Sequence, residues 1–184
     1  MVIEIMGHKA GWLALYAGIA GGSDVIIIPE IPYRIEAIAE HLQERRKKGK
    51  NFSVIAVAEG AVSLSEKDMN KKALKEARKS MVGSIGYRVA GEIEAATGAD
   101  ARVTVLGYLQ RGGTPSGYDR ILATRFGAAA AEFAATEQYG VMTALQQGII
   151  TAVPLNKVAD KVKRVPEDHP MIRAALDVGT CLAG

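Results

Sequence analysis

The sequence holds a single cysteine, Cys181, which excludes an internal disulfide framework and leaves nothing that argues for secretion. A lone cysteine near the end of a chain reads as a small buried hydrophobe, with a reactive thiol as the other reading. No apolar run approaches the roughly 20 residues that a membrane-crossing helix needs, so no membrane partner is expected. The stretch from Met1 to Met6 lacks a basic lead followed by a long apolar segment, so it is not read as a signal peptide. It reads as a strand without a lead-in, and a chain that opens inside a strand suggests missing sequence upstream. Metal-ligand spacing is lacking as well: His8, His41 and His169 are scattered, with no HExxH pattern and no paired cysteines. No Walker-type G-x-x-x-x-G-K-S/T loop and no G-x-S-x-G elbow occurs. Six prolines and twenty glycines are too few for a low-complexity chain, and no internal repeat is present.

What remains is an ordinary cytosolic composition of 184 residues, 48% hydrophobic and 23% charged, large enough for one core. A cytoplasmic location is expected. The net charge of +3 comes partly from Arg45, Arg46, Lys47, Lys48 and Lys50, at the end of an expected helix. Cations there complement a helix dipole, and they could also meet a phosphorylated ligand. With no aromatic residues interleaved, a nucleic-acid partner is not expected.

Along the chain, strand-like and helix-like patterns alternate. Residues 2–5, 25–28, 52–58 and 102–106 read as strands, with 25–28 a continuous β-branched run of the kind buried on both faces of a parallel sheet and 52–58 another buried strand. Helical spacing appears over 8–20, with Trp12, Leu15 and Ile19 on one side, and over 35–47, with Ile35, Ile38 and Leu42. A longer helical region is expected over 69–96, broken near Gly83 and Gly86. An alanine-rich helix over 118–135, a β-hairpin over 141–145 and 149–153, and two short helices complete the chain. The expected fold is α/β, a three-layer sandwich around a mostly parallel sheet, in one domain.

In such sheets a ligand lies beyond the carboxyl ends of the strands, which directs attention to the residues after Ile5, Ile28, Ala58 and Leu106. Met6-Gly7-His8 forms a strand-to-helix turn, either a bend whose N–H groups face an anion or simply a tight turn. Glu59 could accept hydrogen bonds from sugar hydroxyls or cap the following segment. Arg111, ahead of Gly112 and Gly113, offers a planar fork of donors suited to phosphate, or serves structure alone. Arg102, at the start of the same strand, adds a second cation nearby. Taken together, the three loops describe a phosphosugar site.

Three stretches carry a family resemblance: MGHKAGWLAL from Met6, AGGSDVIIIPE from Ala20, and LGYLQRGGTPSGYDRILATRFG from Leu106. In these the chain resembles the bacterial-type 6-phosphofructokinases, over nearly its whole length. The resemblance implies that residues 1–184 are the carboxy-terminal, fructose-6-phosphate-binding half of such an enzyme. Met6, Gly7 and His8 would contact the sugar, with His8 in place of the family's arginine and a possible contact in phosphoryl transfer. Glu59 would bind the sugar, Arg102 would reach a 6-phosphate across a subunit interface, and Tyr108 and Arg111 would stand where the family has His-x-x-Arg. The two replacements fit the mixed or pyrophosphate-using branches better than the allosteric ATP-dependent type. An effector pocket would use Asp24, Lys48 and Lys50.

The family's amino-terminal half carries the Gly-Gly-Asp nucleotide or pyrophosphate loop, the magnesium carboxylate and the aspartate base of a Thr-x-Asp-x-Asp segment. None of these motifs occurs here. The resemblance therefore implies that Mg2+ with ATP or pyrophosphate binds mainly the other half and that no catalytic base lies in this chain. The isolated chain is expected to be inactive. Segment 115–155 would pack on the absent amino-terminal domain, and its apolar face favours a homo-oligomer or a complementary chain. A non-catalytic sugar-phosphate-binding or assembly subunit is the alternative.

Overall fold

Four short β-branched runs become the strands of one parallel sheet: β1 (Val2–Ile5), β2 (Val25–Ile27), β3 (Ile55–Ala58) and β4 (Val103–Val105), in the order β2-β3-β1-β4. The computed structural model describes residues 1–70, 72, 73, 76 and 83–184. Register is strict, with Val2 opposite Ile55 and Val103, and Val25 opposite Ile55. Helices α1 (Trp12–Ala20), α2 (Ile35–Lys47), α3 (Ile85–Thr97), α4 (Gly117–Ala135), α5 (Leu155–Val158) and α6 (Pro170–Asp177) alternate with the strands and follow them.

Period-two alternation explains the layering. Val2, Val25, Ile27, Ile55 and Val57 face one way and pack with Ile38 of α2 and Val89 and Ile93 of α3. Ile26, Ile28, Ala56 and Ala58 face the other way, onto Ala14 and Leu15 of α1 and Ile172 and Ala175 of α6. Each fully buried Val, Leu or Ile contributes about 1.5–3 kcal/mol, and both faces of the sheet are supplied with them. The expected three-layer α/β sandwich is present.

The molecule comprises two compact units. The first comprises Met1–Gln110 and Val162–Gly184, and the second Arg111–Lys161. The returning segment closes the first unit by pairing Cys181 with the outer edge of β2: Ile26 N donates to the Cys181 carbonyl and Cys181 N to the Asp24 carbonyl, both at 2.9 Å. Cys181 is half-buried, and burial pushes its thiol above the usual range, opposed by the N–H that Ala183 donates to Sγ.

In the second unit, Ser116 and Asp119 form a reciprocal cap that starts α4. The Ser116 hydroxyl and N–H hold the Asp119 carboxyl below its usual range. The expected hairpin is β5 (Val141–Gln146) paired antiparallel with β6 (Ile149–Pro154), and Arg125 of α4 donates to the Gly148 carbonyl at its turn. No residue of this unit is buried.

Some boundaries move. The first helix begins at Trp12 rather than His8, because His8 has φ 52° and Gly7 φ 153°, which no helix accepts. The third strand begins at Ile55 rather than Phe52, whose carbonyl accepts from Arg45 at 3.4 Å. Of the helix expected over 69–96, α3 accounts for 85 onward, and most of 71–82 lies outside the described residues.

Candidate functional site

The connection from β1 leaves through α1 on one face of the sheet, while that from adjacent β3 leads to α3 on the other. Such a switch point opens a crevice at the carboxyl ends of the two strands. Residues 6–11 form the bend on one side of it and Glu59 stands on the other. Glu59 Oε1 accepts from the Gly7 N–H at 3.2 Å and from the His8 N–H at 2.5 Å. The N–H groups of the bend thus do face an anion, and that anion is the protein's own carboxylate. Oε2 of Glu59 has no hydrogen-bond partner among the described residues.

The fit is tight. A Cβ on Gly60 would lie 1.8 Å from the His8 carbonyl oxygen, so only glycine lets the bend sit against the residue after Glu59. His8 holds a left-handed backbone, uncommon outside glycine. Gln110 adds a further contact, its Oε1 3.4 Å from the Met6 N–H.

Strand register puts Glu4, Met6, Glu59, Val105 and Gly107 on the face that α3 covers. With Tyr108 they line a cleft of about 190 Å³. Glu4 is buried, with Oε2 accepting from Gly86 N–H at the start of α3 at 2.8 Å. Tyr108 is 81% exposed. The cleft therefore presents carboxylate acceptors beside a phenol, a set suited to hydroxyl groups more than to phosphate.

Met6, Gly7, His8, Glu59 and Tyr108 are brought together. Arg102 is not: it precedes β4 at the amino edge of the sheet, a strand's length of roughly 10–13 Å from the carboxyl edge. The nearby second cation expected from sequence is thus at the wrong end of its own strand. There it lies 3.8 Å from Asp100, both largely exposed, and lines a separate cavity of about 270 Å³ with Leu42, Arg46, Lys50 and Phe52. Arg111 ends the 3₁₀ turn Gly107–Arg111 and opens the second unit, exposed. Asp24 is committed internally, Oδ1 to Arg45 at 2.6 Å and Oδ2 to the Val54 N–H at 2.8 Å.

Two features escaped the sequence reading. Glu30, just past β2, accepts from the Gly11 N–H with both oxygens, at 3.0 and 3.1 Å, and from the Val165 N–H at 3.0 Å. Its one signal is a carboxylate just past a buried apolar run, separated from Ile28 by Pro29 where Glu59 directly follows Ala58. The second is a network around Arg88, which donates to Glu66 at 2.5 Å, to Glu92 at 2.7 Å and to Ser63 at 3.1 Å, while the Tyr33 hydroxyl donates to Glu92 at 2.9 Å. Burial, then the Glu92 charge, pushes the Tyr33 phenol far above its usual range. Burial acts against the Arg88 charge, but the bonds to Glu92 and Glu66 outweigh it and raise its pKa. Tyr33 also brackets the strand-like segment after Glu59, its N–H on the Val62 carbonyl at 3.0 Å and its carbonyl on the Leu64 N–H at 2.8 Å.

Comparison with known proteins decides the lineage. A family model described as phosphofructokinase matches residues 1–134. The chain belongs to the phosphofructokinase family. It is 60% identical to an ATP-dependent 6-phosphofructokinase of Spirochaeta thermophila, over 98% of this chain and 50% of that protein. It is 43% identical to a pyrophosphate–fructose 6-phosphate 1-phosphotransferase of Amycolatopsis methanolica, over 92% of this chain and 50% of the relative. Among solved structures, a pyrophosphate-dependent phosphofructokinase from Marinobacter aquaeolei superposes with a TM-score of 0.70 at 27% identity, covering 98% of this chain and 44% of that one. The chain spans about half the length of the curated relatives it matches. These phosphofructokinases are phosphotransferases, and the parallel-sheet architecture above is theirs.

Proposed function

We propose that this chain is the sugar-binding half of a 6-phosphofructokinase and that it acts, within a longer enzyme, in phosphorylating fructose 6-phosphate to fructose 1,6-bisphosphate in glycolysis. The observation that carries this reading is Glu59: one oxygen holds the Gly7–His8 bend and the other is left for a ligand at a cleft of acceptors. In this reading Glu59 accepts sugar hydroxyls, Met6 and Tyr108 border the ring, and His8 stands towards the transferred group. Arg111 takes the 6-phosphate. Arg102, at the far edge of the sheet, serves the site of a second copy, which makes the enzyme a homo-oligomer.

The chain contributes no base to remove the proton of the attacking hydroxyl, and transfer needs base, metal and positioned phosphates together. Mg2+ with the phosphoryl donor would bind mainly the amino-terminal half. There it would neutralise charge on the donor phosphates. ATP is taken as the donor, on the name of the relative at 60% identity, against the leaning towards pyrophosphate that His8 suggested. An effector role would fall to Lys48 and Lys50, since Asp24 is held by Arg45 and Val54. Segment 115–155 packs on the other half, which accords with the lack of any buried residue in the second unit. A cytoplasmic location follows from the glycolytic role.

Calorimetry of the folded chain with fructose 6-phosphate tests the reading, with Arg111→Ala expected to weaken binding by about 1.5–3 kcal/mol, the scale of hydrogen bonds to charged groups. Absence of sugar-phosphate binding both in the chain and in the full-length enzyme would overturn it. Binding with no turnover after the amino-terminal half is supplied would instead favour a non-catalytic assembly subunit.

A further inference from the structure

We propose that Glu30 is a positioning residue for the substrate bend; this rests on the reading of Met6–His8 as the sugar-binding turn. The bend is held at both ends by carboxylates from two different strand ends. Glu59 after β3 takes Gly7 and His8, and Glu30 after β2 takes Gly11. Between them the Ala10 N–H closes onto the Gly7 carbonyl at 3.0 Å. The backbone groups of Gly7, His8, Ala10 and Gly11 are each engaged in one of these bonds.

The seat of Glu30 is shaped for it. A Cβ on Gly11 would lie 2.4 Å from Ile28 Cβ and 2.8 Å from Glu30 Oε2, so the carboxylate fills the space that glycine leaves. Gly11 is the residue from which α1 starts, and a negative charge at a helix start is favourable. If Glu30 let go, the bend would keep only Glu59 and the long Gln110 contact, with one Glu59 oxygen serving two N–H groups and the other serving substrate.

Glu30 has a second grip. Its Oε1 also accepts from Val165, and the Trp12 indole donates to the Lys163 carbonyl at 2.8 Å. Segment 163–165 follows the last residue of the second unit, Lys161. One carboxylate thus fastens the substrate bend and the chain's return to the first unit at the same point.

The test is a pair of variants in the full-length enzyme. Glu30→Asp keeps the charge but draws the oxygens back by about 1.5 Å, one carbon–carbon bond. Glu30→Gln removes the charge but keeps an oxygen at full reach. If reach is what matters, E30D raises KM for fructose 6-phosphate at least fivefold with kcat within twofold of the parent, and E30Q stays within twofold in both. In hydrogen–deuterium exchange, the amides of Gly7, His8 and Gly11 exchange at least tenfold faster in E30D while those of α2 do not change. Unchanged KM and exchange in E30D overturn the proposal, as does an E30Q as impaired as E30D, which would assign the role to charge. An E30D that unfolds, or exchanges faster throughout, makes Glu30 a core support and likewise overturns it. If the parent enzyme does not use fructose 6-phosphate, the functional reading falls, while exchange at the bend still decides the positioning claim.

Discussion

At Gly60 one methyl group decides whether the bend can rest on the end of β3, since its Cβ would meet the His8 carbonyl oxygen at 1.8 Å. That oxygen belongs to a backbone already held in the left-handed region, so it has little room to retreat. Gly60→Ala is expected to cost about 1–3 kcal/mol, the range for overpacking, and to weaken sugar-phosphate binding at least tenfold; urea unfolding and calorimetry check the two effects separately. A different residue sets a pH limit. His41 is held below the usual imidazole range, first by burial and then by the Arg45 charge, and its Nε2 is buried without a partner. In the unfolded chain the same imidazole takes up a proton near pH 6.5. Below that pH the unfolded state binds more protons, so stability is full above about 6.5 and falls as the pH drops towards the depressed folded value. Thermal melting from pH 7.5 to 5 should show the loss, and His41→Leu should flatten it.

Among the elements, α3 is joined to the segment after β3 through Arg88, which bonds Glu66 and Ser63. Truncating it takes the counter-charge from Glu66, whose side chain is 5% exposed and keeps its bonds from Ser63, and from Glu92, which keeps the Tyr33 hydroxyl. Arg88→Ala is expected to destabilise the first unit by about 3–5 kcal/mol, the cost of breaking a buried pair, as read by urea unfolding. Lysine should restore only part, because one ammonium cannot reproduce three directed guanidinium bonds. The strands were legible because residues such as Ile26 and Ile27 are buried on opposite faces and leave an unbroken apolar run. The hairpin was legible because Gln147-Gly148 marks its turn. Met6, Gly7, His8 and Glu59 could be found as neighbours because each follows a strand of the same parallel sheet. Arg102 lies away from Glu59 because the two ends of a strand serve different edges of the sheet. The Glu30–Val165 and Arg88–Glu66 contacts are not legible because the partners lie 135 and 22 residues apart, unlike the i,i+4 pair Arg88–Glu92. No local pattern encodes such pairings.

At the scale of the whole molecule, the contrast between the units is the main fact. The first has two apolar layers, and the second buries nothing while exposing Tyr118, Ile121, Tyr139 and Ile149. Limited trypsin digestion should therefore cut first after Arg120 or Arg125, both exposed in α4, well before any site in α2. Adding the amino-terminal half of the enzyme should suppress those cuts if Tyr118 and Ile121 lie against it, and leave them unchanged if they do not.

The pairing of Cys181 with β2 has its own consequence for synthesis. Asp24 and Ile26 leave the ribosome about 155 residues before the backbone groups that complete their edge of the sheet, with the whole of Arg111–Lys161 translated in between. Until then the nascent sheet carries an open parallel edge of Val25, Ile26 and Ile27, the sort of surface that chaperones hold and that joins other chains when they do not. Synthesis slowed between residues 110 and 180 should lower the soluble yield more than an equal delay placed earlier.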